Sequence, residues 1–410
     1  MTRGLSLRSR VPGNWHARFC SRDGGSDSLV YCNRDARAPQ RGSVRHRVAI
    51  RVSAESEHEK EGNTNMSEAQ KPTEQAPQEI IYALAVGYMI SRSLHVAADL
   101  GIADLLSDGP KSIEELASAT GAHRQSLYRL LRLLAGNGVF AEDPSGHFQL
   151  TPPAVLLRTG VPGSLRDIVR TVGDLAGDGT WWNMVGQLRR TVLTGEPEFE
   201  RVYGIGFYEH LARNPAANVW WAQGMLSQGI TENAAIGGCY DFGQFRRVVD
   251  VGGGRGGFLA EVLKAYPTVK GVLYDHPKVM KEPTSLIAAG LMDRCEVGGG
   301  NFLESVPGGA DAYIAKRILM DWDDEHVVAL LRACREAMAE HGRIVTINVV
   351  MPLGNQPHPG KIIDLFLMVQ LRGRERTEQE FRELYRRAGL KLTKIVPTPS
   401  MLSLVEGERA

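Results

Sequence analysis

Cysteine is scarce in this chain: five in 410 residues, at Cys20, Cys32, Cys239, Cys295 and Cys334, with no two in a C-x-x-C pair. An odd number at scattered positions excludes a disulfide framework and a zinc ribbon, so reduced thiols are expected. Charge of one sign is lacking too, because 48 Lys and Arg face 47 Asp and Glu for a formal net charge of +1. Without a basic excess there is little to neutralise a phosphate backbone, and nucleic acid is not an expected partner. No run reaches the roughly 18–20 uninterrupted apolar residues of a membrane helix. Even Ile80 to Ile90 gives way to Ser91 and Arg92. A soluble, cytoplasmic protein without a membrane partner is expected. Clusters of Cys, His, Asp and Glu at metal-ligand spacing are missing as well, so no metal site is expected.

What is present falls into segments of different character. Residues 1–76 are rich in Arg, Ser and Gly, with no lysine before Lys60 and no sustained hydrophobic period. Such a composition buries too little apolar surface to offset its ordering entropy, which predicts a disordered or extraneous extension, as upstream sequence ahead of a start at Met66 would be. A transit peptide would share the arginines, but Asp23, Asp27 and Asp35 count against it. A nucleic-acid-binding arm is the other alternative.

Residues 77–180 read as a mainly helical domain. Ile81, Leu84, Ala85, Tyr88 and Met89 recur at helical spacing until Gly101. Ser112 stands three residues before Glu115, the spacing of a capping box. Leu127, Leu130, Leu131 and Leu134 mark a third helix, and two short apolar runs flank the turn Asp143–Gly146. Three helices and a hairpin make a winged helix. Its leucine-filled third helix and acidic flanks argue against DNA reading, and its apolar first helix is a candidate homodimer interface. Residues 181–245 follow as a helical connector contributing to a substrate pocket. From 246 to 410 strands alternate with helices, giving an α/β, Rossmann-like sheet with an antiparallel end.

The richest stretch runs from Val248 to Leu263: a short apolar strand, a turn of glycines from Gly252 to Gly257, then an amphipathic helix. That is the first unit of a doubly wound sheet, with the turn stripped of side chains so that ligand approaches backbone. Gly252, Gly254 and Gly257 alone suit a nicotinamide dinucleotide equally well. Asp250, two residues earlier, tilts the balance, because a carboxylate attracts the ammonium of S-adenosylmethionine and repels a pyrophosphate. Asp275, ending the next strand, is placed for ribose hydroxyls in either class.

Five ordered motifs extend this reading: Asp250–Gly257, Tyr274–Pro277, Gly300–Pro307, Lys316–Glu325 and Gly373–Thr377. With them the chain, from about Gln78 onward, resembles the plant-type and bacterial secondary-metabolite O-methyltransferases, which join a winged-helix dimerisation domain to a class I methyltransferase domain. The resemblance implies that Gly252 and Gly254 line the methionine part of the cofactor and that Asp275 binds ribose. It also implies that Asn301 and Phe302 lie beside adenine, where His276 abuts, and that Lys316 is near the cofactor. The family has Asp where Asn301 stands, and an amide oxygen still serves the adenine amino group. Acceptor-lining positions fall at Trp221 and Met225, and at Asp364 and Met368.

The catalytic positions depart from the family. Its base is a histidine before Asp-Trp, here Met320, framed by two glutamates, here Asn348 and Glu375. Methionine takes no proton, so Met320 is expected to shape the pocket and exclude water. Methyl transfer would then proceed by proximity and desolvation to an acidic acceptor. Transfer to carbon or nitrogen is a second reading. A third has the fold hold its cofactor without methyl transfer while promoting hydroxylation, isomerisation or pericyclic cyclisation. A DNA-binding sensor on an inactive enzyme would be a further class.

Overall fold

The computed structural model describes residues 76–174, 179–277 and 283–410, and the backbone of two antiparallel strands, β1 (Trp15–Cys20) and β2 (Ser28–Asn33). The chain divides into two units, Met1–Thr73 and Glu74–Ala410. Beyond those two strands, the extension expected over 1–76 lies outside the described residues.

The second unit begins with α1 (Pro77–Asp99), α2 (Ile113–Thr120), α3 (Arg124–Gly136) and a hairpin of β3 (Phe140–Glu142) and β4 (Phe148–Leu150). The capping box forms as expected: the Ser112 hydroxyl accepts from the Glu115 amide at 3.3 Å, and the Ser112 amide donates to Glu115 Oε2 at 2.7 Å. On α3, Leu127, Leu131 and Leu134 are buried with Ile102, Leu116, Phe140 and Phe148 in one core. Two of the arginines on α3 are engaged within the domain, Arg124 with Glu114 and Arg132 over the Tyr128 ring.

Helix α1 is divided along its length. Ser93, His95, Ala97 and Ala98 are buried, whereas Ile81, Tyr82, Leu84, Tyr88 and Met89 are each more than half exposed. By length and composition alone, α1 is long and apolar enough to cross a membrane. Its apolar residues do not form an uninterrupted run, because Ser91 and Arg92 end the run while barely lowering the mean hydropathy.

Beyond it, α4 (Arg166–Gly173) packs on α5 (Pro215–Gly237), with the Thr171 hydroxyl donating to the Trp220 carbonyl at 2.8 Å. The sheet then assembles from β5 (Arg247–Val251), β6 (Lys270–Asp275), β7 (Cys295–Gly299), β8 (Ala312–Lys316), β9 (Arg343–Asn348), β10 (Leu390–Pro397) and β11 (Ser403–Arg409). Its order is β10-β11-β9-β8-β5-β6-β7, parallel from β7 to β9 and antiparallel at the β9-β11-β10 end.

Helix α6 (Gly257–Ala265) buries Phe258, Leu259, Val262 and Leu263 in the core on one face of the sheet. On the other face, α7 (Asp324–Ala337) supplies Val327, Leu330 and Leu331, and α9 (Glu378–Arg387) supplies Phe381, Leu384 and Tyr385. The run Ala310–Ile314 predicts a strand, and β8 starts two residues later, at Ala312. Asp311 ends the approach to it by accepting from the amides of Arg246 at 2.8 Å and Arg247 at 2.9 Å. The strand therefore runs on to Lys316.

From β5 the chain moves outward to β6 and β7, then returns to β8 on the other side of β5. The switch point of this doubly wound sheet lies between β5 and β8, and ligands of such sheets bind at the carboxyl ends of the strands there. Those two ends carry the glycine turn and the Lys316–Asp321 segment.

Candidate active site

The turn after β5 is held by positive backbone angles at Gly252 (φ +70), Gly254 (φ +57) and Gly256 (φ +79). The glycines have separate reasons. A Cβ on Gly252 would stand 2.4 Å from Ile318 Cδ1 and one on Gly256 2.7 Å from Leu286 Cδ1, so neither position has room. At Gly254 a Cβ would meet nothing within 4 Å, which leaves an open floor bounded by backbone.

Two carboxylates border that floor. Asp275 Oδ2 accepts from the Gly254 amide at 2.8 Å and Oδ1 from the His276 amide at 2.6 Å, so one side chain ties the ends of two parallel strands together. Each oxygen keeps a further lone pair for a ligand hydroxyl. Asp250 is 1 % exposed and its Oδ2 has no partner among the described residues. Burial, with Asp275 adding and Lys316 opposing, pushes its carboxyl up to about 7. A Cβ on Gly253 would fall 2.5 Å from that oxygen, so Asp250 underlies the turn. An orphaned carboxylate at one end of the floor and spare acceptors at the other fit a cationic amino-acid nucleoside.

Pairing of Asp275 with Gly299 brings the next loop to the same edge. Asn301 is exposed there, with Nδ2 donating to Glu304 Oε1 at 2.7 Å and Oδ1 accepting from the Leu303 amide at 3.1 Å. Phe302 is half-buried with its ring edge-on to Trp322, centroids 6.1 Å apart. The His276 side chain is exposed beside Asp275.

A second group of residues is built around a short turn, Leu319–Asp321, after β8. Arg376 secures it from beneath. Only 1 % exposed, it donates to the carbonyls of Leu319 and Trp322 at 2.8 Å each, and to Asp324 Oδ1 at 2.8 and 3.0 Å. Gly373 permits the close approach, since a Cβ there would collide with the Met320 carbonyl oxygen. A parallel bridge between Val350 and Arg376 lays this segment alongside the end of β9.

Met320, Asn348, Glu375 and Asp364 are thereby gathered at the carboxyl end of the sheet. Met320 is half-buried, Asn348 is buried with both side-chain polar atoms unpartnered among the described residues, and Glu375 is buried with Oε1 unpartnered. Burial pushes the Glu375 carboxyl up to about 7; Asp364 and Asp321 add to the shift, and Arg317 and Arg376 oppose it. Asp364, on α8 (Gly360–Gln370), accepts from the Glu375 amide at 2.8 Å. Met368 on α8 and Met225 on α5 are half-buried. Trp221 joins an aromatic cluster, 4.8 Å from the Phe207 ring and 6.1 Å from Trp181, which itself lies 4.5 Å from Phe366 of α8.

Comparison with known proteins bears directly on this arrangement. Residues 185–391 match the O-methyltransferase domain and residues 82–160 the O-methyltransferase dimerisation domain. The chain is 39 % identical to phenazine O-methyltransferase PhzM of Lysobacter antibioticus, over 80 % of this chain and 95 % of that protein. It belongs to the O-methyltransferase family.

Two further relatives place this methyltransferase more closely. The 8-amino-8-demethylriboflavin N,N-dimethyltransferase of Streptomyces davaonensis is 34 % identical over 80 % of this chain and 94 % of its own. The solved structure of CalO1, a methyltransferase in calicheamicin biosynthesis in its S-adenosylhomocysteine-bound form, superposes with a TM-score of 0.74 at 34 % identity. It covers 82 % of this chain and all of that one. The chain is thus an enzyme of the S-adenosylmethionine-dependent O-methyltransferase type, with a dimerisation domain ahead of a class I methyltransferase fold.

Four residues beside these loops escape sequence reasoning. Glu232 on α5 is buried, receives Lys316 Nζ at 3.0 Å and Arg317 Nε at 3.0 Å, and is also bonded by Arg317 Nη2. A signal existed: Glu232 is the only charged residue in the 23 of α5. Asn233 follows it, and its amide would lie 3.4 Å from a Cβ on Gly257. Arg317, between Lys316 and Met320, was within a recognised motif yet carried no assigned role. Tyr208, whose hydroxyl donates to Asp321, had no signal at all, because 113 residues separate the two. Burial raises the Asp321 carboxyl to about 6; Tyr208 is half exposed, yet desolvation of its hydroxyl end, with Asp321 adding, holds the phenol above its ordinary range. The histidines near these loops have other engagements, His326 with Asp323 at 2.7 Å and His358 accepting from the Gly360 amide at 3.0 Å.

Proposed function

We propose that this methyltransferase methylates an oxygen of a small aromatic or polyketide-type secondary metabolite, by proximity and desolvation, with no general base. The observation that carries the reading is Met320 at the base position, with Asn348, unpartnered among the described residues, where the family has a carboxylate. S-adenosylmethionine, when bound, supplies a methyl on a positively charged sulfur; the acceptor oxygen forms the new bond to carbon as the carbon–sulfur bond breaks. An acceptor that arrives ionised needs no proton removed at that step. The chain's part is to hold it in line and dry, the role given to Met320 and the aromatic cluster of Trp181, Phe207, Trp221 and Phe366. Gly252, Gly254 and Asp250 are assigned to the methionine part of the cofactor. Asp275 takes the ribose, Asn301, Phe302 and His276 the adenine side, and Trp221, Met225, Asp364 and Met368 the acceptor. Relatives named for phenazine and riboflavin substrates support a fused-ring acceptor.

The test is Met320→His, assayed against a panel of phenols with S-adenosylhomocysteine counted per product. Restoring a base is expected to raise rates on weakly acidic phenols by about 100-fold, the lower end for general-base catalysis because Asn348 offers no carboxylate brace, and to leave acidic acceptors unchanged. Equal gains across the panel, or product without stoichiometric S-adenosylhomocysteine, would refute the mechanism.

The same reading makes the protein a homodimer, with the exposed apolar half of α1 covered by a second copy. Leu84→Glu is expected to halve the mass measured by light scattering at micromolar concentration; an unchanged mass would move the interface elsewhere. Cys239, Cys295 and Cys334 are unpaired, which supports a reducing, cytoplasmic setting.

A further inference from the structure

We propose that Arg317 is the anion receptor of the acceptor site, so that the acceptor binds through a negatively charged oxygen, a carboxylate or an ionised phenol, set against its guanidinium. The inference rests on the methyltransferase reading and adds the group that meets the charge.

Arg317 is the one non-glycine residue with positive φ (+56) among those described. The left-handed region is disfavoured for a residue with a Cβ, and such strain persists where surrounding structure holds it, commonly at functional sites. Here it turns the side chain back toward α5, where Glu232 clasps one edge of the guanidinium through Nε and Nη2. The other edge is aimed elsewhere. Nη1 stands 3.9 Å from Met320 Sδ, and a thioether sulfur is a weak acceptor. A strong donor thus faces the residue that occupies the family's base position.

Lys316 and Arg317 share a single partner carboxylate, Glu232, and both basic side chains are mostly buried, so the pair keeps one positive charge more than Glu232 neutralises. The nearby acids are Asp250, Asp321, Asp364 and Glu375. Burial pushes the Asp250 and Glu375 carboxyls up to about 7, which reduces their charge near neutrality, while Asp321, at about 6, stays largely ionised. Tyr208, donating to Asp321, is held as the neutral phenol. An anionic oxygen entering between Arg317 and Met320 would satisfy the free edge of the guanidinium, and reduced solvent strengthens that pairing. Stabilising the ionised acceptor accomplishes what a base would otherwise do.

The experiment uses the full chain saturated with S-adenosylhomocysteine and compares 2-naphthoate with its neutral counterpart 2-naphthamide by calorimetry. Wild type is expected to bind the carboxylate at least about tenfold more tightly. Arg317→Met should bring the ratio to about one with S-adenosylhomocysteine affinity intact, since Lys316 still pairs Glu232, and Arg317→Lys should retain part of the preference. Independently of any variant, wild type should bind 4-nitrophenol more tightly as pH rises through the phenol's ionisation, with the bound probe absorbing as phenolate below its solution midpoint. Equal affinities for the two naphthyl probes in wild type overturn the proposal. So does an anion preference that survives Arg317→Met, or nitrophenol binding that is flat with pH. If Arg317→Met does not fold, the wild-type measurements decide. Failure to bind S-adenosylhomocysteine would instead sink the methyltransferase reading on which this one rests.

Discussion

Asp275→Ala is expected to weaken S-adenosylhomocysteine binding by at least about 100-fold in calorimetry, roughly 3 kcal/mol, while the protein stays folded. The size follows from the double use of one side chain. Its oxygens receive the Gly254 and His276 amides at 2.8 and 2.6 Å, holding the glycine floor at the end of β5 against the end of β6. Hydrogen bonds to a charged acceptor contribute about 1.5–3 kcal/mol each, and alanine forfeits these along with the acceptors assigned to ribose. Asp275→Asn keeps one acceptor oxygen, so an intermediate loss is expected. An affinity unchanged in the alanine variant would remove Asp275 from the cofactor site.

The second large effect is expected at Arg376. Its guanidinium is the largest fully buried side chain described, and it is spent entirely on the Leu319, Trp322 and Arg374 carbonyls and Asp324. Arg376→Met leaves the buried carbonyls without this donor, while Asp324, 35 % exposed, keeps Arg374; buried acceptors left unsatisfied cost about 1–3 kcal/mol each. For a domain of this size that corresponds to a fall in Tm on the order of 10 °C by scanning calorimetry. Because the contacts converge on the turn carrying Met320, kcat should fall at temperatures where the variant is still folded. Arg376→Lys is expected to rescue little, since an ammonium cannot reproduce a planar fork reaching four separate groups. A lysine variant with wild-type Tm would show that the guanidinium geometry is irrelevant.

Much of the architecture was legible because its signals are local. The Ser112–Glu115 and Thr377–Glu380 capping boxes depend on residues three apart, and both form with the reciprocal bonds expected of them. The run Val248–Val251 followed by glycines specified strand, turn and helix in order. The antiparallel end of the sheet followed from the spacing of the last two apolar runs. The start of β8 was less legible, since Asp311 sets it through amides of Arg246 and Arg247 that are more than sixty residues away. The apolar half of α1 was read as a candidate interface, yet its hydropathy also reaches that of a spanning helix.

The sequence by itself determined the family and the strand, glycine turn and helix from Val248 to Leu263, because both are written in contiguous residues whose chemistry holds in any conformation. Only the tertiary structure decided what surrounds Met320. Glu232 lies 84 residues from Lys316 and Tyr208 lies 113 from Asp321. Burial, rather than residue type, brings Asp250 and Glu375 to about 7. Charge pairing and desolvation depend on separation in space, and linear order carries neither until the sheet places the ends of β5, β8 and β9 side by side.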